Sequence, residues 1–192
     1  MTAETLSKMT DVLGTATTDY SASSSGRAQN VENGTSKING TLLMPGESFS
    51  VTDAVVPFNA ENGYELAPSY EAGQVVDSYG GGICQVSTTL YNAVLKAELE
   101  VDARSNHTML VGYVDPSKDA AIAEGVMDFV FTNDKDSPVY IAGAAYYGTL
   151  TFTILVRRPD RRIALLSSSV KSFHRPIRRR TSSWWRRRIR MS

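Results

Sequence analysis

The sequence predicts an α+β domain, with helices packed on a mainly antiparallel sheet. Apolar residues recur at helical spacing in residues 26–38 and again from Ile83 onward. From Met127 to Val156 they alternate with polar ones between turn signals, the pattern of a strand meander. A length of 192 residues with 42% hydrophobic and 21% charged residues suits one domain with a sizeable core.

Taken in order, residues 1–13 read as a short helix with Leu6, Met9 and Leu13 on one side and Gly14 as its stop. Residues 14–26 are rich in Ser and Thr and read as extended or loop. Ala28, Val31, Thr35 and Ile38 then set the stripe of the helix over 26–38. Asn39-Gly40 and Pro45-Gly46 are turns around a short strand, and Ser48–Val51 alternates as a second one. Residues 53–79, with Pro57, Gly63, Pro68 and Gly73, read as a long loop. Its tyrosines Tyr64, Tyr70 and Tyr79 would either line a groove or pack the loop down.

The helix after the triple glycine is predicted to bury Val86, Leu90, Ala93, Val94 and Ala97. Gln85, Thr89, Asn92 and Lys96 would face solvent, and Cys84, Thr88, Tyr91 and Leu95 a third strip. Met109, Val111 and Tyr113 alternate as a strand, and Asp115–Asp119 is a turn. Strands are expected at 127–132, at 139–147 and at 150–156, with Gly148-Thr149 as a hairpin turn between the last pair.

The chemistry concentrates in Gly80-Gly81-Gly82-Ile83-Cys84-Gln85-Val86-Ser87-Thr88-Thr89-Leu90-Tyr91-Asn92. Three glycines lead into the single cysteine at a predicted helix start. The free N–H groups of a first turn favour a thiolate and can hold an oxyanion. On this reading Cys84 is a nucleophile with His107 as its base, and Gln85 N–H and the Gly82-Ile83 backbone face the oxyanion. Asp102 and Asp119 are the two candidates to orient His107. The bland alternative is a packed cysteine beside a tight turn. Arg27 and Asn30 share a helix face and either grip a carboxylate or cap a loop.

Several classes are excluded. No Lys-Ser/Thr follows the glycines, so they are not a phosphate loop. One cysteine and two histidines give no convincing metal spacing, and no cofactor is expected. No apolar run reaches the length of a transmembrane helix, and the N-terminus lacks the pattern of a signal peptide. Charge is split: residues 1–156 hold 7 Lys/Arg and 19 Asp/Glu, a net of −12, while 157–192 hold 13 and 1, a net of +12. That Arg-rich tail reads as disordered or frameshifted, with no specific nucleic-acid partner.

The Gly80–Asn92 run resembles the VanW family, as do Pro45-Gly46-Glu47-Ser48-Phe49-Ser50 upstream and Asn106-His107 downstream. Arg27 and Asn30 are also similar to the family pattern, whereas Ala103 stands where an acid is common and Lys118 where a glycine is. The resemblance implies a VanW-like domain over 10–156, after a lead-in at 1–9. It also implies an extracytoplasmic place in the Gram-positive cell envelope, and a role in peptidoglycan biology or glycopeptide resistance. The leading expectation is a module that binds cell wall or a partner. The alternative is a Cys-His acyltransferase or amidohydrolase acting on peptidoglycan peptides. Cys84 and His107 are the candidate catalytic residues. Gly81, Gly82, Gln85, Arg27, Asn30 and Tyr91 are the candidate binding residues.

Overall fold

The computed structural model describes residues 9–71 and 74–157, and the α+β expectation holds. In order, the elements are β1 (Met9–Asp19), α1 (Ser25–Ile38), β2 (Leu42–Leu43), β3 (Ser48–Ser50) and α2 (Val51–Val55). Next come β4 (Leu66–Glu71), β5 (Gln74–Tyr79) and α3 (Ile83–Lys96). The chain continues through β6 (Glu100–Ala103), β7 (Val130–Thr132), β8 (Val139–Tyr146) and β9 (Thr149–Arg157). Residues 1–8 of the lead-in and the Arg-rich tail beyond Arg157, including His174, lie outside the described residues.

The main sheet runs β1-β9-β8-β2, antiparallel throughout, so the first strand pairs with the last. Helix α1 packs on β8, α3 packs on β1 and β9, and the two helices touch each other. Val31 and Ile38 from α1 meet Val86, Leu90 and Val94 from α3 over Ile141, Leu150, Phe152 and Ile154 of the sheet, all of them buried. A smaller sheet, β3-β7-β6, adds Phe131 to the same core, with Phe129 just before β7, and β4 and β5 form a separate hairpin.

The helix expected at the N-terminus is corrected: from Met9 the chain is a strand. Ala16, Thr18 and Tyr20 turn inward while Thr15 and Thr17 face out. Those outward threonines bond their partners Thr153 (3.0 Å) and Thr151 (2.9 Å) across the ladder. Threonine suits a half-buried pleated surface, so a stretch that reads as Ser/Thr-rich loop is a strand once β9 lies beside it. The expected long loop at 53–79 is corrected too, because it holds α2 and the β4–β5 hairpin. Tyr64 is buried there and its hydroxyl donates to the Val55 carbonyl (2.8 Å). The expected strand at 109–114 is irregular. Its Met109 and Leu110 are exposed, and no strand pairs with it. The β8–β9 turn falls on Tyr147-Gly148, one residue earlier than expected, with both φ angles positive (50° and 78°) as a two-residue hairpin demands.

Strand β1 lies hard against α3 at Gly14. A Cβ there would sit 2.3 Å from the Ala93 carbonyl oxygen and 2.5 Å from the Ala97 nitrogen, both backbone atoms that cannot swing aside. Gly14→Ala should therefore push β1 off the helix and lower unfolding stability by about 1–3 kcal/mol. Urea titration of both proteins measures this. An unchanged midpoint would mean that the strand is not held at this distance.

Candidate functional site

The glycines before α3 are fixed from three sides. Gly81 passes so close to β4 that a Cβ would meet the Ala67 carbonyl oxygen at 2.3 Å. Asn30, fully buried, donates to the Gly81 and Glu65 carbonyls (3.0 Å each) and accepts from the Glu65 N–H (2.8 Å). It therefore ties α1 to the hairpin and to the glycine turn. Gly82 is the residue before the helix and takes φ 103°, where a side chain would be strained, and no side chain caps the helix.

The helix face expected in solvent is corrected. Gln85 and Thr89 are buried, because β1 covers them. Gln85 Nε2 donates to Thr18 Oγ1 (3.0 Å) and to the Asp19 carbonyl (2.8 Å), and Thr89 shares a hydrogen bond with Thr18 (2.8 Å). The other side of the helix clamps the segment after Lys118. Ser87 donates to the Ala120 carbonyl (2.6 Å), Thr88 accepts from the Ala120 N–H (2.9 Å), and Asn92 donates to the Lys118 carbonyl (2.7 Å).

That clamp brings Asp119 to His107. One carboxylate oxygen of Asp119 receives both the His107 backbone N–H (2.6 Å) and ring Nδ1 (2.7 Å). The other receives the Arg104 guanidinium (2.9 Å), which also lies over the Tyr91 ring. Burial alone would raise the Asp119 carboxyl, but the His107 hydrogen bonds outweigh it and hold it below the usual range. An ionised carboxylate only accepts, so the proton of a neutral imidazole sits on Nδ1 and leaves Nε2 basic. Of the two acids that sequence offered, the structure selects Asp119. Asp102 instead accepts from the Thr132 hydroxyl (2.6 Å).

His107 stands between two cavities. On one side it lines a cavity of about 330 Å³ with Asp119 and Arg104. On the other it lines one of about 400 Å³ with Cys84, Gln85, Arg27 and Gly82. Val111 and Tyr113 from the irregular segment close the second cavity, with Phe58 and Tyr79 from the 53–79 region. Asn30, Gly81 and Tyr91 do not line it: the first two hold the turn, and Tyr91 packs edge-on against Phe129 at 5.4 Å.

The Cys84 thiol donates to the Ile122 carbonyl (3.5 Å). Burial pushes its pKa up, against the lowering effect of that contact and of the Arg27 charge, so the depressed thiol expected at a helix start is corrected. Desolvation outweighs the Ile122 contact and the Arg27 charge. The Gln85 and Ile83 N–H groups bond the Gly82 and Gly80 carbonyls, which removes both from the expected oxyanion contacts. Among the described residues no group of three His, Cys, Asp or Glu side chains stands where it could hold a metal ion. Sequence reasoning missed Arg104, Tyr113 and the Ile122 carbonyl. The apolar Ala120–Ala123 run directly after Asp119 was the available signal that this acid would be drawn inward.

The ionised Asp119 makes a pH prediction. A carboxylate whose folded pKa is depressed stabilises the fold above its unfolded pKa, about 3.9. That stability is lost as pH falls through the lower, folded value. Asp119→Asn should lower stability by about 1–3 kcal/mol at pH 7. The gap from the wild type should close in acid. Urea melts at pH 7 and pH 2.5 check this, and a gap equal at both would place the stabilisation elsewhere than in the charge.

A family model described as VanW like protein matches residues 26–155. The chain is 36% identical over 145 residues to the uncharacterized protein YoaR of Bacillus subtilis (strain 168), covering 76% of this chain and 48% of that protein. It is 31% identical over 105 residues to the Vancomycin B-type resistance protein VanW of Enterococcus faecalis (strain ATCC 700802 / V583), covering 52% of this chain and 38% of that protein. The chain thus spans less than half the length of either relative. No solved structure matches it. With its helix-starting glycine and cysteine motif at the centre of the matched region, the chain belongs to the VanW-like protein family.

Proposed function

We propose that this domain is a thiol-dependent acyltransferase or amidohydrolase, acting outside the cytoplasm on the peptide part of the bacterial cell wall. One observation carries the chemistry: His107, bonded at Nδ1 to an ionised Asp119, shares a cavity with Cys84 at the uncapped start of α3. The cell-wall setting rests on the family and on the resistance named for the Enterococcus faecalis relative.

Because the thiol pKa is raised, Cys84 is a neutral nucleophile that needs a base at the moment of attack. The S–H proton passes to His107 Nε2 as sulfur bonds the carbonyl carbon, and the carbonyl electrons move to oxygen. The Cys84 N–H, between the bonded Ile83 and Gln85 N–H groups of the first turn, is the donor assigned to that oxygen. Collapse breaks the C–N bond, the leaving amine takes the proton from the imidazolium, and a thioester remains. Water gives hydrolysis, and an amine gives transfer. Asp119 keeps the ring in the required tautomer and stabilises its charged form.

A second reading, a binding module for cell wall without chemistry, is favoured by the resting thiol contact with Ile122 in place of His107. Alkylation of Cys84 by iodoacetamide separates the two. At pH 7 the wild type should react at least tenfold faster than His107→Ala, with Asp119→Asn between them, since a positioned base is worth about 10²–10⁴. Peptidoglycan fragments should then leave a Cys84 acyl adduct visible by mass spectrometry. A thiol inert until denaturation, or indifferent to His107, would leave the binding reading standing alone.

A further inference from the structure

We infer that Arg27 is a receptor for a substrate carboxylate, so that the peptides this cavity takes end in a free carboxyl group near the reacting carbonyl. This rests on the acyl-transfer reading for the position of that carbonyl, but the binding itself does not depend on thiol reactivity.

Arg27 is half-buried, and the two hydrogen-bond partners of its guanidinium are both uncharged: Ser23 Oγ at 2.6 Å and Gln85 Oε1 at 2.8 Å. A guanidinium has five N–H donors, and no carboxylate pairs with this one among the described residues. Arginine at such a depth ordinarily meets a carboxylate or phosphate, because an unmatched charge is expensive to desolvate. Its stem lies across the glycine turn: a Cβ on Gly82 would come 2.8 Å from Arg27 Cγ and 3.5 Å from Cζ. The cation is therefore two residues from Cys84 along the same cavity wall, close enough for its charge to act on the thiol.

The support behind Arg27 is rigid. Gln85 is 1% exposed, and its amide nitrogen is held by Thr18 and Asp19. This fixes which way round the amide sits and leaves Oε1 to hold the guanidinium. A buried amide fastened at three points thus orients one cation. Asp119 is taken by His107 and Arg104, and neither Asp19 nor Glu124 pairs with Arg27. Asp19 accepts from the Ser21 hydroxyl and N–H, and Glu124 is an exposed residue at the cavity. A planar fork with free donors fits a carboxylate bidentately. Glu124 across the same cavity disfavours a substrate carrying a second negative charge.

The test uses N-acetyl-dialanine as the free acid and as the C-terminal amide, in the L,L and D,D forms. Both are titrated into the full chain and into Cys84→Ala and followed by amide chemical shifts. In at least one stereochemical series the acid should bind about tenfold or more tighter than its amide. Shifts should centre on Gly82 and Gln85, and salt should weaken only the acid. Arg27→Gln should bring the acid down to the amide, and Arg27→Lys should recover part of the difference. If Arg27→Gln does not fold, the acid-to-amide ratio and the salt dependence of the wild type still decide. Equal binding of acid and amide, no shift with either at tens of millimolar, or an Arg27→Gln protein that keeps the preference would each overturn the inference. Failure of the nucleophile reading looks different: the acid still binds in preference, while the thiol stays inert.

Discussion

The structure depends on the need to satisfy the polar side chains buried along α3. Gln85, Ser87, Thr88 and Thr89 follow the glycine turn and all lie within the core. An unpaired hydroxyl or amide there would cost about 1–3 kcal/mol, so each determines a neighbour. Gln85 and Thr89 fasten the end of β1, and Ser87 and Thr88 fasten the backbone at Ala120. Among the described residues no buried side-chain nitrogen or oxygen is left without a partner. The first strand and the Asp119 segment are far apart in sequence, yet both are registered against the same turns of one helix. Cys84 at the head of that helix consequently acquires a fixed relation to both.

The same requirement explains what was legible in the sequence. Apolar periodicity reports burial by hydrophobic contact, and it succeeds for α1, for the Val86–Val94 stripe and for the C-terminal hairpin. It fails where burial is polar. Gln85 and Thr89 look like a solvated face because nothing local reveals that β1 will cover them. Strand β1 fails for the converse reason. Its partner is β9, more than a hundred residues away, so its threonines look like a loop until the ladder closes. Residues 109–114 alternate as a strand does, but Val111 and Tyr113 face a cavity, so their period of two reflects a lining surface.

At the site, the residue types were legible and their partners were not. A cysteine at a glycine-led helix start and a later histidine are local signals, and both line the same cavity. The choice between Asp102 and Asp119 needed the fold, since β6 turns Asp102 toward Thr132 while the α3 clamp draws Asp119 under the ring. The thiol pKa was misjudged because a helix terminus is visible in sequence and desolvation is not. The loop-capping reading of Asn30 was legible, and its three partners, all backbone groups, needed the fold.

The raised thiol and the ionised Asp119 form a consistent pair. On the acyl-transfer reading, a thiol that keeps its proton until attack spares the cavity the large penalty of holding a thiolate–imidazolium pair out of water. On that reading, charge would separate only when a carbonyl arrives to accept the sulfur. Asp119, ionised and held by His107 and Arg104, would then face an imidazolium across 2.7 Å. The contact between the thiol and Ile122 is no obstacle to this sequence, because S–H is a weak donor and a 3.5 Å bond to a carbonyl is easily released. On the acyl-transfer reading, the acid would already be charged when the base takes up the thiol proton. That order would let a nucleophile survive burial without losing its proton acceptor.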